Sequence, residues 1–170
     1  LVEMQGGKIS VMSSPGKGSV FTLTMWFEKP GEEQEAQRKG GRDLKGASIL
    51  VAEDNEVNQL LVRTLLEAWN AKVEIVDSGL SALGRAQKGG FDLILMDLQM
   101  PFMDGIEACE QIRLLDDKKK SAIPIIALTA DVLSETRKKV FAVGMNDIVT
   151  KPINQAELYA ALRKGLNLAE

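Results

Sequence analysis

Five times between residue 48 and the C-terminus, a short apolar run gives way to a segment with helical periodicity. The apolar runs are residues 48–52, 73–76, 91–96, 123–128 and 147–150, each of strand length. The first, Ser-Ile-Leu-Val-Ala, has no polar alternation, as expected of a strand covered on both faces. Between the runs lie helical patterns. Residues 55–69 carry Val57, Leu61, Leu65 and Ala68 at helical spacing, and 81–88 form a second helix. Asp104-Gly105 opens a third helix through Leu114, and residues 134–143 form a fourth, closed by Gly144 at C′. The last helix starts at Asn154 as N-cap, with Glu157 three positions on and Leu158, Ala161 and Leu162 as its buried stripe. The Lys118-Lys119-Lys120 run reads as a solvated loop after the third helix.

Five strand–helix units within about 120 residues predict an α/β fold: a doubly wound, five-stranded parallel sheet with helices on both faces. Such a sheet binds ligands beyond the carboxyl ends of its strands. The residues there are Glu53-Asp54 after the first strand, Asp97 after the third, Thr129-Ala130 after the fourth and Lys151-Pro152 after the fifth. Crowded carboxylates repel unless a cation joins them. Mg²⁺ takes one or two carboxylates together with waters and a phosphate, and a lysine adds fixed positive charge. The set therefore fits a phosphoryl group, with Asp97 placed to accept it as a carboxylate nucleophile. Phosphoryl transfer runs on positioning and charge neutralisation, so no histidine base is needed on the acceptor.

The chain in fact contains no histidine, which excludes Ser-His-Asp or Cys-His catalysis, His-ligated zinc and a phosphohistidine on these 170 residues. One cysteine, Cys109, excludes an internal disulfide framework, fits a reducing compartment and reads as a small core residue. A net charge of −3 gives no basic stripe for nucleic acid. No apolar run approaches the roughly 20 residues of a membrane helix.

Ahead of the α/β segment, two period-2 runs flank Ser14-Pro15-Gly16-Lys17-Gly18, which predicts a β-hairpin within residues 1–27. Phe21, Leu23, Met25 and Phe27 would share one face of its second strand. Residues 28–47 are rich in Glu, Gln, Lys, Arg and Gly and read as a linker, with a turn of helix over 32–38. The chain opens on Leu1, so it is expected to be part of a longer protein.

Five stretches now carry a resemblance: Ile49-Leu50-Val51-Ala52-Glu53-Asp54-Asn55, Leu93 through Pro101, Met103-Asp104-Gly105, Ala127-Leu128-Thr129-Ala130 and Thr150-Lys151-Pro152. In this order and at strand ends, they make residues 48–170 resemble the receiver domain of two-component response regulators. The resemblance implies the flavodoxin-like strand order 2-1-3-4-5, counted from the strand at 48. It implies that Asp97 is the phosphoacceptor and, with Asp54, a Mg²⁺ ligand, with Glu53 acting through water or a hydrogen bond and the backbone carbonyl of Gln99 as a further ligand. Thr129 and Lys151 would engage the phosphoryl oxygens, and the Lys151–Pro152 bond is commonly cis in the family. Where the family often has Tyr or Phe, three residues before the lysine, this chain has Ile148, which implies a smaller conformational response.

Residues 1–27 resemble the last hairpin of a histidine-kinase ATP-binding domain, without that family's nucleotide boxes. The combined resemblance is to the C-terminal end of a hybrid sensor histidine kinase, cytoplasmic in this segment even if the parent is membrane-anchored. The implied partner is a phosphohistidine on a kinase or phosphotransfer protein, with neither nucleic acid nor membrane contacted by this segment. The hairpin is expected to be disordered, to pack on the receiver, or to form a homodimer by pairing with another copy, since its edges are unpaired. Two other readings stay open. A metal-dependent phosphatase often carries a second Asp two residues after its nucleophile, where this chain has Gln99. A receiver fold used only for protein interaction would need no phosphorylation.

Overall fold

The computed structural model describes residues 7–16, 18–24, 42–130 and 134–168. The chain divides into two units between Gly40 and Gly41. In the first unit, β1 (Lys8–Ser14) pairs antiparallel with β2 (Gly18–Thr24). Ile9 lies opposite Leu23 and Val11 opposite Phe21, so these four side chains share one face of the hairpin. Pro15 and Gly16 make the turn, with Gly16 at φ 74°, a conformation that glycine adopts without a Cβ penalty. The expected face residues Met25 and Phe27, and the helical turn at 32–38, lie outside the described residues.

The second unit runs β3 (Ser48–Ala52), α1 (Glu56–Ala68), β4 (Lys72–Val76), α2 (Gly79–Lys88), β5 (Leu93–Asp97), α3 (Gly105–Arg113), α4 (Lys118–Ser121), β6 (Ile125–Thr129), α5 (Ser134–Ala142), β7 (Asp147–Thr150) and α6 (Gln155–Gly165). Its five strands are all parallel in the order β4-β3-β5-β6-β7, which is 2-1-3-4-5 counted from β3. Alternate residues along each strand feed two separate cores. Leu50, Ile94, Met96, Ile125 and Ala127 pack with α2, α3 and Val140 of α5. Ile49, Val51, Leu93, Leu95, Ile126 and Leu128 pack on the other face with α1 and α6. Each fully buried Leu or Ile among them contributes about 1.5–3 kcal/mol relative to exposure.

The helix ends follow local chemistry. Asn55, Ser78, Asp104, Asp117 and Asn154 cap their helices, each side chain accepting one or two first-turn N–H groups. Gly144 closes α5 at φ 89°, as expected of a C′ glycine. Asn154 caps α6 as predicted, and the Glu157 carboxylate accepts a hydrogen bond from Thr150 Oγ1 at 3.4 Å.

Three local expectations are corrected. The Lys118–Lys120 stretch forms the short helix α4 rather than a loop, because the Asp117 side chain accepts the N–H groups of Lys119 and Lys120. The strand expected at 123 begins at Ile125, since Pro124 has no N–H to give a ladder. In α1 the buried positions are Val62, Leu65, Leu66 and the C-cap Trp69, whereas Val57 and Leu61 stand exposed. Leu60, Leu61, Val62, Leu65 and Leu66 make the helix apolar over more than one face, so spacing alone does not fix its phase.

Candidate functional site

The sheet changes winding direction at β3, whose neighbours are β4 and β5. Glu53 and Asp54 follow the carboxyl end of β3, and Asp97 ends β5. One carboxylate oxygen from each falls within 4.8 Å of the other two. Glu53 and Asp97 are buried, and Asp54 is exposed at the mouth. Lys151 enters from the end of β7. Its Nζ donates to Glu53 Oε2 and to Asp97 Oδ2, each at 2.6 Å. Burial pushes the Lys151 ammonium down, but the hydrogen bonds to Asp97 and Glu53 and their charges outweigh that, so it titrates above its ordinary range.

Main-chain geometry fixes these groups. Asp97 is the last residue of β5, and its Oδ1 accepts the Gln99 N–H at 3.0 Å. Thr129, the buried last residue of β6, lies in register with Thr150, and its carbonyl accepts the Lys151 N–H at 2.8 Å. The Lys151–Pro152 peptide is cis. Gly105, at the start of α3, backs directly onto the Asp97 main chain, and a Cβ there would be driven into the Asp97 carbonyl oxygen. Ile148 packs against the core under α2 and α3.

Two residues that sequence reasoning passed over hold Glu53. Asn58 Nδ2 donates to Glu53 Oε1 at 2.9 Å, alongside the Asn55 N–H at 3.3 Å, and Gln59 Nε2 donates to the Glu53 backbone carbonyl at 2.7 Å. Their signal lay in spacing. Amides three and four residues after the Asn55 cap return to the side of the helix facing the preceding loop.

Three carboxylates against one ammonium leave two negative charges uncompensated. A divalent cation with a taste for oxygen matches both the charge and the donor type, so the residues present fit Mg²⁺. The fold and site thus define a doubly wound α/β domain with an acidic cluster able to hold a cation and a fixed lysine at its switch point.

The chain belongs to the response regulator receiver domain family, which matches residues 49–163. It is 38% identical over 166 residues to the autoinducer 2 sensor kinase/phosphatase LuxQ of Vibrio vulnificus, covering 95% of this chain and 19% of that protein. The chain therefore spans about a fifth of the length of the curated relatives it matches. Among solved structures it is similar to the receiver domain of the sensor histidine kinase PA1611 from Pseudomonas aeruginosa, described with a magnesium ion coordinated in its active-site cleft. The two are 37% identical, with a TM-score of 0.66 and coverage of 72% of this chain and 98% of that one. A third similarity is to the Saccharomyces cerevisiae co-crystal of the histidine phosphotransfer protein Ypd1 with the receiver domain of the response regulator Ssk1. There the identity is 31% and the TM-score 0.66, with 72% of this chain and 90% of that one covered.

Proposed function

We propose that this receiver takes a phosphoryl group from a phosphohistidine onto Asp97, as part of a hybrid sensor histidine kinase in a two-component phosphorelay. The observation that carries the reading is Lys151 Nζ set 2.6 Å from both Asp97 and Glu53, with the Asp54 carboxylate completing the cluster. In the transfer, the P–N bond of the donor breaks and its electron pair stays on the imidazole nitrogen, while an Asp97 carboxylate oxygen forms the new P–O bond. Lys151 holds the acceptor carboxylate in place and supplies positive charge to the incoming oxygens. Thr129, at the neighbouring strand end, is the hydroxyl assigned to a phosphoryl oxygen. Asp54 and Asp97, with the Gln99 carbonyl and Glu53 through water, would hold Mg²⁺, which when bound neutralises phosphoryl charge.

The partner is a phosphohistidine carried outside these 170 residues, since the chain has no histidine. Next to Asp54, α1 exposes Val57, Leu60 and Leu61, an apolar stripe suited to docking a histidine phosphotransfer protein such as the one seen with Ssk1. The similarity to LuxQ covers 95% of the chain and so extends ahead of residue 49, which supports reading the N-terminal hairpin as a kinase remnant. No described helix is long and apolar enough to cross a membrane, and a cytoplasmic setting follows from the phosphorelay reading. Homodimerisation through the hairpin is part of the same proposal, tested by light scattering with and without residues 1–41.

Incubation with Mg²⁺ and acetyl phosphate, followed by intact-mass measurement, tests the central step. One phosphoryl adduct is expected on the wild type and none on Asp97→Asn. A wild-type chain that stays unmodified, or an adduct that survives the substitution, overturns the assignment.

A further inference from the structure

The end of the linker is built into the receiver. Leu44 is fully buried in the core beneath α1 and α6, and its N–H donates to the Trp69 carbonyl at 2.8 Å. The Gly46 N–H donates to the Asn70 carbonyl, also at 2.8 Å. Asp43 Oδ1 accepts from Asn70 Nδ2 at 3.0 Å and from the Lys45 N–H at 2.8 Å. These contacts fix the segment to the C-terminal end of α1. A second set fixes it to α6. The Asp43 N–H donates to the Tyr159 hydroxyl at 2.9 Å, and the Arg42 guanidinium reaches Gln155 Oε1 at 3.5 Å. That guanidinium also sits 5.5 Å from the ring centroids of both Trp69 and Tyr159, which meet edge to face at 5.2 Å.

The helix gripped here is the one the site lysine leads into. Only Pro152, Ile153 and the cap Asn154 separate Lys151 from Gln155, and Ile153 packs into the same core as Leu44 and Tyr159. In the arrangement observed, Lys151 is drawn to Asp97 Oδ2 while Tyr159 and Gln155 hold the linker. A phosphoryl group on Asp97 would compete for the Lys151 ammonium and shift the short segment that enters α6.

We propose that residues 42–47 form a clasp on α1 and α6 whose grip on α6 depends on the state of the Asp97 site, so that loading the site loosens the tether at Tyr159 and Gln155. The inference rests on the phosphoryl-receiver reading. Two states with different contacts give a coupling that runs both ways: the factor by which loading weakens the clasp is the factor by which the site binds more tightly once the clasp is open.

The test uses the 170-residue chain with Trp26→Phe, which leaves Trp69 as its sole tryptophan. Beryllofluoride with Mg²⁺ stands in for the phosphoryl group, and its binding is followed by the amide resonances of Asp97 and Lys151. Loading is expected to shift Trp69 emission to the red and to raise its quenching by acrylamide about twofold or more. Tyr159→Phe keeps the ring and removes the hydroxyl. It is expected to raise quenching before loading and to tighten beryllofluoride binding by about fivefold, the low end of ordinary coupling. If the amides of Asp97 and Lys151 respond while Trp69 stays unchanged, or if Tyr159→Phe leaves the affinity alone, the clasp is overturned and the receiver reading stands. If those amides do not respond at all, both fall.

Discussion

At Gly105 a single hydrogen atom decides the geometry of the main chain at Asp97. Its backbone lies against the Asp97 carbonyl, so even a methyl group forces the end of β5 and the start of α3 apart. Gly105→Ala is expected to cost about 1–3 kcal/mol of stability in urea unfolding and to slow phosphoryl uptake, because the main chain carrying Asp97 must move. Unchanged stability and uptake would show that the contact relaxes without consequence. Lys151 gives a prediction in pH. Its ammonium, held by Asp97 and Glu53, titrates above its ordinary value of 10.5 in the fold. A cation with a raised pKa binds its proton more tightly folded than unfolded. Its contribution to stability is therefore complete below the ordinary value and is lost as pH climbs through the folded one. The gap in unfolding free energy between wild type and Lys151→Met should stay level from about pH 8 to pH 10 and narrow above about pH 10.5. A gap that widens in alkali would contradict the pairing. That Asp97, Asp54 and Lys151 come together at one edge of the sheet was legible from their places at strand ends. Asn58 and Gln59 were not, because an amide in a second helical turn acquires meaning only when the loop it reaches back to is in place.

Among the elements, the joint of α3, α4 and the loop before β7 depends on one side chain. Arg113 Nε and Nη2 donate to the Gly144 carbonyl at 3.0 and 2.8 Å, Nη1 donates to the Ser121 carbonyl at 2.8 Å, and Nη2 also reaches Asn146 Oδ1 at 3.3 Å. Asn146 Oδ1 in turn accepts the Ile125 N–H at 2.8 Å, so the clamp reaches the start of β6. Arg113→Met is expected to lower stability by about 1–3 kcal/mol, since it leaves these acceptors without their partner. Arg113→Lys should recover only part of the loss, because one ammonium nitrogen cannot take the places of the three guanidinium nitrogens that reach Gly144, Ser121 and Asn146. Equal stability of all three proteins would show that water replaces the guanidinium. None of this was visible in the chain order, since Arg113 reads as one more charged residue in the last turn of a helix. The strands and the Asn154 cap were visible, because a strand buried on both faces and an Asn before a helix are set by neighbouring residues, whereas the Asp117 cap of α4 was passed over. The phase of α1 was not, and the reason is the same surplus of apolar residues that leaves Val57, Leu60 and Leu61 exposed.

On the scale of the whole molecule, the receiver's boundary differs from its motif boundary. The receiver motifs begin near Ile49, yet Leu44 is as fully buried as the strand residues. A chain starting at residue 42 is expected to keep the stability of the receiver unit, and one starting at residue 48 to lose about 2–5 kcal/mol, the range for deleting a buried leucine. Thermal unfolding of the two truncations checks this, and equal midpoints would place the boundary at the motif. The sequence by itself determined the class of fold, the order of its units and the identities of the residues at the carboxyl ends of the strands. Those follow from patterns that repeat every two or 3.6 residues and from capping chemistry within one turn. Tertiary structure alone decided the 2.6 Å grip of Lys151 on Asp97 and Glu53, the clamp at Arg113 and the burial of Leu44 beneath α1 and α6. Each joins residues far apart in the chain, and such a contact is set by how the sheet stacks its helices, which no local pattern encodes.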